Sequence, residues 1–168
     1  MKKQTLKISK AIPVYFDGEL LATTHFIIRP GYYNLEKELS GMVKSGSPFC
    51  IIPAIGRNAP QIYFGEKALE NMPIDGMKRI FGEERPDREM TFTNIILDGE
   101  KDGIPCRVLC NHKHVSAVNT EYEMLLDGEI TQKDEKSCFS VYRGEEKIGI
   151  VMPIRRDSMN LEYIDSIH

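Results

Sequence analysis

No apolar run in the 168 residues approaches the ~20 needed to cross a bilayer as a helix. The N-terminus, Met-Lys-Lys-Gln-Thr-Leu-Lys, has the basic start of a secretion signal without the apolar stretch that should follow. A cytoplasmic chain with no membrane partner is therefore expected. Basic charge is not in excess either: 22 Lys and Arg stand against 25 Asp and Glu, for a formal net charge of −3. That excludes the strongly basic coat which grips nucleic acid without sequence preference. The 41% of hydrophobic residues, spread along the chain, exclude an acidic disordered tail. Cys50, Cys106, Cys110 and Cys138 include no Cys-x-x-Cys pair, so free thiols acting as small apolar residues are expected. There is no Gly-x-Ser-x-Gly elbow, no glycine-rich loop leading to Lys-Ser/Thr, no internal repeat and no low-complexity segment.

What is present is Asp-Gly, at 17–18, 75–76, 98–99, 102–103 and 127–128. Asp-Gly accepts positive φ and favours two-residue hairpin turns. The first pair lies between apolar runs at 13–16 and 20–24, predicting a hairpin that continues through 25–28 and breaks at Arg29-Pro30-Gly31. Asn34 reads as a helix N-cap, with Leu35, Leu39, Met42 and Val43 at helical spacing and Gly46 as the stop. Strands are predicted at 49–52 and 61–64, short helices at 67–72 and 75–81, and a polar, mobile loop at 82–89. Beyond it, 90–97 is rich in β-formers. Asn119 should open another short helix ending at Asp127-Gly128, and 138–142 with 148–154 should form a final hairpin. The pattern is α+β, a mainly antiparallel β-sheet with two to four short helices. One domain is expected over 1–155, followed by a tail at 156–168.

The run 104–117 alternates. Read as one strand, it places Ile104, Cys106, Val108, Cys110, His112 and His114 on one face. Same-face neighbours on a strand are roughly 6.5–7 Å apart, so His112 and His114 could chelate one ion, with zinc suited to imidazole and thiolate. Cys110 or Glu121 would supply a further ligand. This is the basis for an alternative reading as a small metal-dependent enzyme with zinc as its cofactor. The other reading makes the cysteines core residues and lets the histidines continue that face toward solvent. Basic residues group at Lys78-Arg79, at Arg85 and Arg88, and at Arg155-Arg156. Intervening acids and the lack of interleaved aromatics, Phe81 apart, disfavour a nucleic-acid face.

Val118-Asn119, Tyr122, Leu125-Leu126, a charged turn, an apolar hairpin and the closing Ile150-Val151-Met152-Pro153-Ile154-Arg155 form a further pattern. Over about 115–155 it resembles the last subdomain of bacterial DNA sliding clamps. The resemblance implies a β-α-β-β-β subdomain whose Met-Pro end strand lines an apolar groove for short peptides of partner proteins. The matching positions are Met152, Pro153, Ile154 and Arg155. The chain has room for one such subdomain where clamps have three, so encirclement of DNA is not implied. With no catalytic constellation in view, the sequence points away from an enzyme. It points to a binding or regulatory protein that contacts a protein partner through its C-terminal strand, in replication or in phage or mobile-element machinery.

Overall fold

The computed structural model describes residues 4–98, 104–112 and 114–154. Among them are eleven strands, three α-helices and two 3-10 turns, and the assigned strand pairs are antiparallel. The fold is α+β and β-rich, as the alternation and turn signals predict. The chain divides into two compact units, 1–83 and 84–168, and the division falls inside the polar stretch 82–89. The sequence offers no other sign of it. The predicted turns at 98–99 and 102–103, Arg155-Arg156 and the tail lie wholly or partly outside the described residues.

In the first unit the strands are β1 (Val14–Phe16), β2 (Leu21–Ala22), β3 (Phe26–Ile28), β4 (Phe49–Ile52) and β5 (Gln61–Phe64). Their order is β5-β4-β1-β2-β3. The first hairpin forms, but its central residues are Gly18 and Glu19. Asp17 N–H donates to Leu20 O at 3.2 Å, and Gly18 takes φ +102° at the first central position. Asp17 Oδ1 accepts the amides of Glu19 and Leu20, which holds the turn. The predicted run through 28 is broken. Thr23 N–H donates to Phe26 O at 2.9 Å, so Thr24 and His25 make a second tight turn.

Helix α1 (Lys37–Lys44) starts later than predicted, with Glu36 at the N-cap position. Asn34 is diverted: its amide donates to Thr5 Oγ1 at 2.8 Å and its carbonyl accepts Leu6 N–H at 2.8 Å. The side chain that should cap the helix ties down the N-terminal segment instead. Gly46, at φ +77°, follows the helix as expected. Strands β4 and β5 match their predicted spans, and α2 (Glu66–Glu70) and α3 (Ile74–Phe81) follow.

In the second unit the strands are β6 (Glu89–Asp98), β7 (Pro105–Asn111), β8 (His114–Asn119), β9 (Glu129–Thr131), β10 (Phe139–Arg143) and β11 (Glu146–Val151). Their order is β11-β10-β9-β6-β7-β8. The helix expected from Asn119 is a single 3-10 turn, Glu123–Leu125. Asn119 Oδ1 accepts Glu121 N–H ahead of this turn, which has no side-chain cap, and one turn suffices to bury Leu125 and Leu126. The helix implied by the sliding-clamp resemblance is thus absent from these described residues. Strand β9 had no sequence signal. Gly128 precedes it because a Cβ there would lie 2.5 Å from Tyr142 O.

After β11 the chain returns to β8, and Ile154 N–H donates to Ala117 O at 2.8 Å. Three residues reach at most ~11 Å. The two ends of this strand order therefore curl toward each other.

Candidate functional site

The predicted metal-ligand set is divided by a turn. Asn111 pairs with His114, so residues 112–113 connect β7 to β8 and the run 104–117 is a hairpin, not one strand. His112 is exposed in that turn at φ +44°, a conformation that His tolerates better than most residues. Reversal of the chain changes the faces. Cys110 pairs with Val115 and shares with Cys106, Val108 and Ala117 an apolar cluster completed by Ile95, Leu97 and Ile154. His114 pairs with Asn111 and belongs to the opposite face. Glu121 lies two residues past Asn119, the far end of β8, which is itself five strand steps or ~17 Å from His114. Cys110, His112, His114 and Glu121 are therefore not brought together. Among the described residues no group of three or more His, Cys, Asp and Glu side chains is placed to hold a metal ion.

His114 instead anchors a buried polar network. The guanidinium of Arg88 lies 2.7 Å from its Nδ1. Arginine only donates, so Nδ1 accepts and Nε2 carries the hydrogen. That hydrogen is donated to Gln132 Oε1 at 3.0 Å. The amide of Gln132, which has no accessible surface, donates to Ser116 Oγ at 3.0 Å and to Ser137 O at 2.8 Å. Glu135 Oε2 is 3.6 Å from His114 Nδ1, on the Arg88 side. Ser116 and His114 are two apart on β8, so their side chains project in parallel and Gln132 bridges them. This arrangement joins the β7–β8 hairpin to the loop between β9 and β10. It presents no hydroxyl to a base. Sequence reasoning missed Gln132 and read Arg88 only as one of a group of basic surface residues, because both lie in polar stretches.

The C-terminal set is also divided. Met152 follows four buried residues of β11 and is 46% exposed. Its sulfur accepts from the Cys138 thiol at 3.2 Å. Pro153 has no N–H, and Ile154 is held to β8 and the Cys106 cluster. Arg155 lies outside the described residues. Of the predicted basic residues, Arg85 is occupied: it pairs with Glu129, donates to Gly144 O at 3.2 Å and covers the Tyr142 ring at 4.4 Å.

In the first unit, a cavity of about 450 Å³ opens beside α1. Ile8, Ile12, Val14, Leu39, Met42 and Ile51 form most of its apolar wall, with Pro53 and Pro60 at the β4–β5 end. Its charged lining residues are Glu36 and Glu38 on the α1 side and Lys10 on the N-terminal segment. The sequence shows each apolar residue but not their convergence, since they come from four separate segments. No protein-family model, curated protein or solved structure matches the chain.

Proposed function

We propose that this chain acts as a non-enzymatic binding protein, and that the cavity beside α1 is its ligand site. The observation that carries this reading is the combination of a largely apolar wall, a volume of about 450 Å³ and three charged groups among the lining residues. Ligand sites typically have this size and this division of labour: apolar lining for affinity and sparse polar groups for orientation. Two carboxylates against one ammonium favour an apolar ligand that carries a positive charge. Dodecyltrimethylammonium and dodecyl sulfate, each below its micelle-forming concentration, are suitable probes by titration calorimetry. The cation should saturate one site and bind more tightly than the anion. Glu36→Lys with Glu38→Lys should reverse that order, by about tenfold in Kd or more (a factor of ten is ~1.4 kcal/mol). Absence of single-site saturation, or a charge-reversed variant that binds as the parent does, overturns the reading.

Exposed Met152 favours a second reading, a protein contact at the end of β11. Methionine is an adaptable apolar contact, and Pro153 removes one donor beside it. The link to replication or mobile-element machinery comes from the sliding-clamp resemblance alone. Met152→Ala should leave the thermal midpoint nearly unchanged, while Ile154→Ala should destabilise by ~1–3 kcal/mol because Ile154 packs on the Cys106 cluster. Equal losses in both variants would make Met152 a packing residue and remove the contact.

A further inference from the structure

Strand β5 ends the strand order of the first unit, so among the described residues of that unit one of its sides has no neighbouring strand. Its register identifies which groups face that side. Gly65 N–H donates to Pro48 O at 3.0 Å, one step beyond the Phe49–Phe64 pair. Antiparallel pairs alternate between hydrogen-bonded and non-bonded. Cys50–Tyr63 and Ile52–Gln61 are therefore the bonded pairs. The N–H and C=O groups of Ile62 and Phe64 point away from β4, to the open edge. Their side chains share a face and are 52% and 60% exposed. Cys50 Sγ donates to Asn71 O at 3.4 Å, which places the α2 end on the other face, with Cys50 and Tyr63.

Exposed edge strands usually carry a lysine, an internal proline or a bulge that blocks pairing. Residues 61–64, Gln-Ile-Tyr-Phe, have no charge and no proline, and their pairing with β4 is regular. We infer that β5 pairs with β5 of a second copy of this chain, antiparallel about a two-fold axis at Tyr63. That axis sets Ile62 of each copy opposite Phe64 of the other. These are the two residues whose backbone groups point outward, so one symmetric strand pair satisfies all four donors and acceptors on each edge. A parallel or shifted pairing leaves some of them open. The identical strand also brings no like charge against itself, and a two-fold contact is closed and stops at the dimer.

Four residues a side is a small interface, below the ~1,200 Å² at which specific complexes begin, so association should be weak. Sedimentation equilibrium over roughly 10 µM to 1 mM, the range suited to an interface of this size, should show the mass rising from 19.2 kDa toward twice that value. Ile62→Lys should stay monomeric with an unchanged circular dichroism spectrum, because Ile62 is half-exposed. Ile80→Lys, at an exposed site on α3, should associate as the parent does. Amide hydrogen exchange tests the same contact without substitution: protection of Ile62 and Phe64 should increase with protein concentration. A chain that stays monomeric at the highest concentration overturns the inference. So does association in which these amides remain unprotected, or which Ile62→Lys does not reduce.

Discussion

Gln132 has no accessible surface, yet its amide and carbonyl are all used within the second unit, on Ser116, Ser137 and His114. Gln132→Leu would keep much of the volume and leave two buried side chains, Ser116 and His114, and the half-buried Ser137 carbonyl without their bonds. A loss of ~2–4 kcal/mol is expected, measured by urea unfolding. A loss below ~1 kcal/mol would mean that water replaces the amide. Gly128 is constrained by space, not by φ. Gly128→Ala would drive a methyl against Tyr142 O and Val141 Cγ1, for an expected ~1–3 kcal/mol. Neither residue stands out in the sequence. Gln132 sits in Thr-Gln-Lys-Asp, which reads as a loop, and Gly128 reads as a helix stop.

Among the elements, β4 and β5 were legible to the residue because short apolar β-rich runs lay between Gly and Pro signals. The β7–β8 hairpin was not, although its alternation is strong. The two residues that join its strands, His112 and Lys113, include no glycine, proline, asparagine or aspartate, and Asn111 alone does not interrupt the apparent strand. The cost of that missing signal was the metal site: reversal at the turn moves His114 to the face opposite Cys110. The same turn yields a prediction. His112 adopts φ +44°, which asparagine accepts more readily. His112→Asn should hold or raise the thermal stability, by up to ~1 kcal/mol. A clear loss would show that the imidazole makes a contact that outweighs its backbone strain. Helix α1 and the 3-10 turn near Asn119 show the complementary error. In both cases an asparagine with cap-like flanks bonds elsewhere: Asn34 to Thr5, and Asn119 to the Glu121 amide ahead of the turn.

Across the molecule, the α+β class followed from turn signals and alternation, whereas the division near residue 84 did not. A polar loop between elements and a polar link between compact units have the same composition. Both units carry groups that resist ionisation. Burial pushes the phenols of Tyr15, Tyr122 and Tyr142 and the thiol of Cys50 above their ordinary ranges. A negative Cys50 would raise Tyr15 further, while Arg85 partly offsets the rise at Tyr142. The folded state prefers the neutral form of each group. Its contribution is therefore complete below the unfolded pKa and is lost as pH rises through the folded one. Urea midpoints should hold from neutrality to about pH 8 and fall as the pH passes about 10, near the ordinary tyrosine value. An alkaline midpoint equal to the neutral one would contradict this.

The hydrogen bond from Ile154 to Ala117 also sets an order of events during synthesis. Strand β8 leaves the ribosome long before the residue that bonds to its outer side. Until Ile154 has emerged, the nascent second unit presents β8 with that position unfilled, in a crowded compartment where other chains offer strands of their own. Slow translation through residues 118–154 would prolong that exposure, so codon choice in this stretch should affect the yield of folded protein more than the same change upstream.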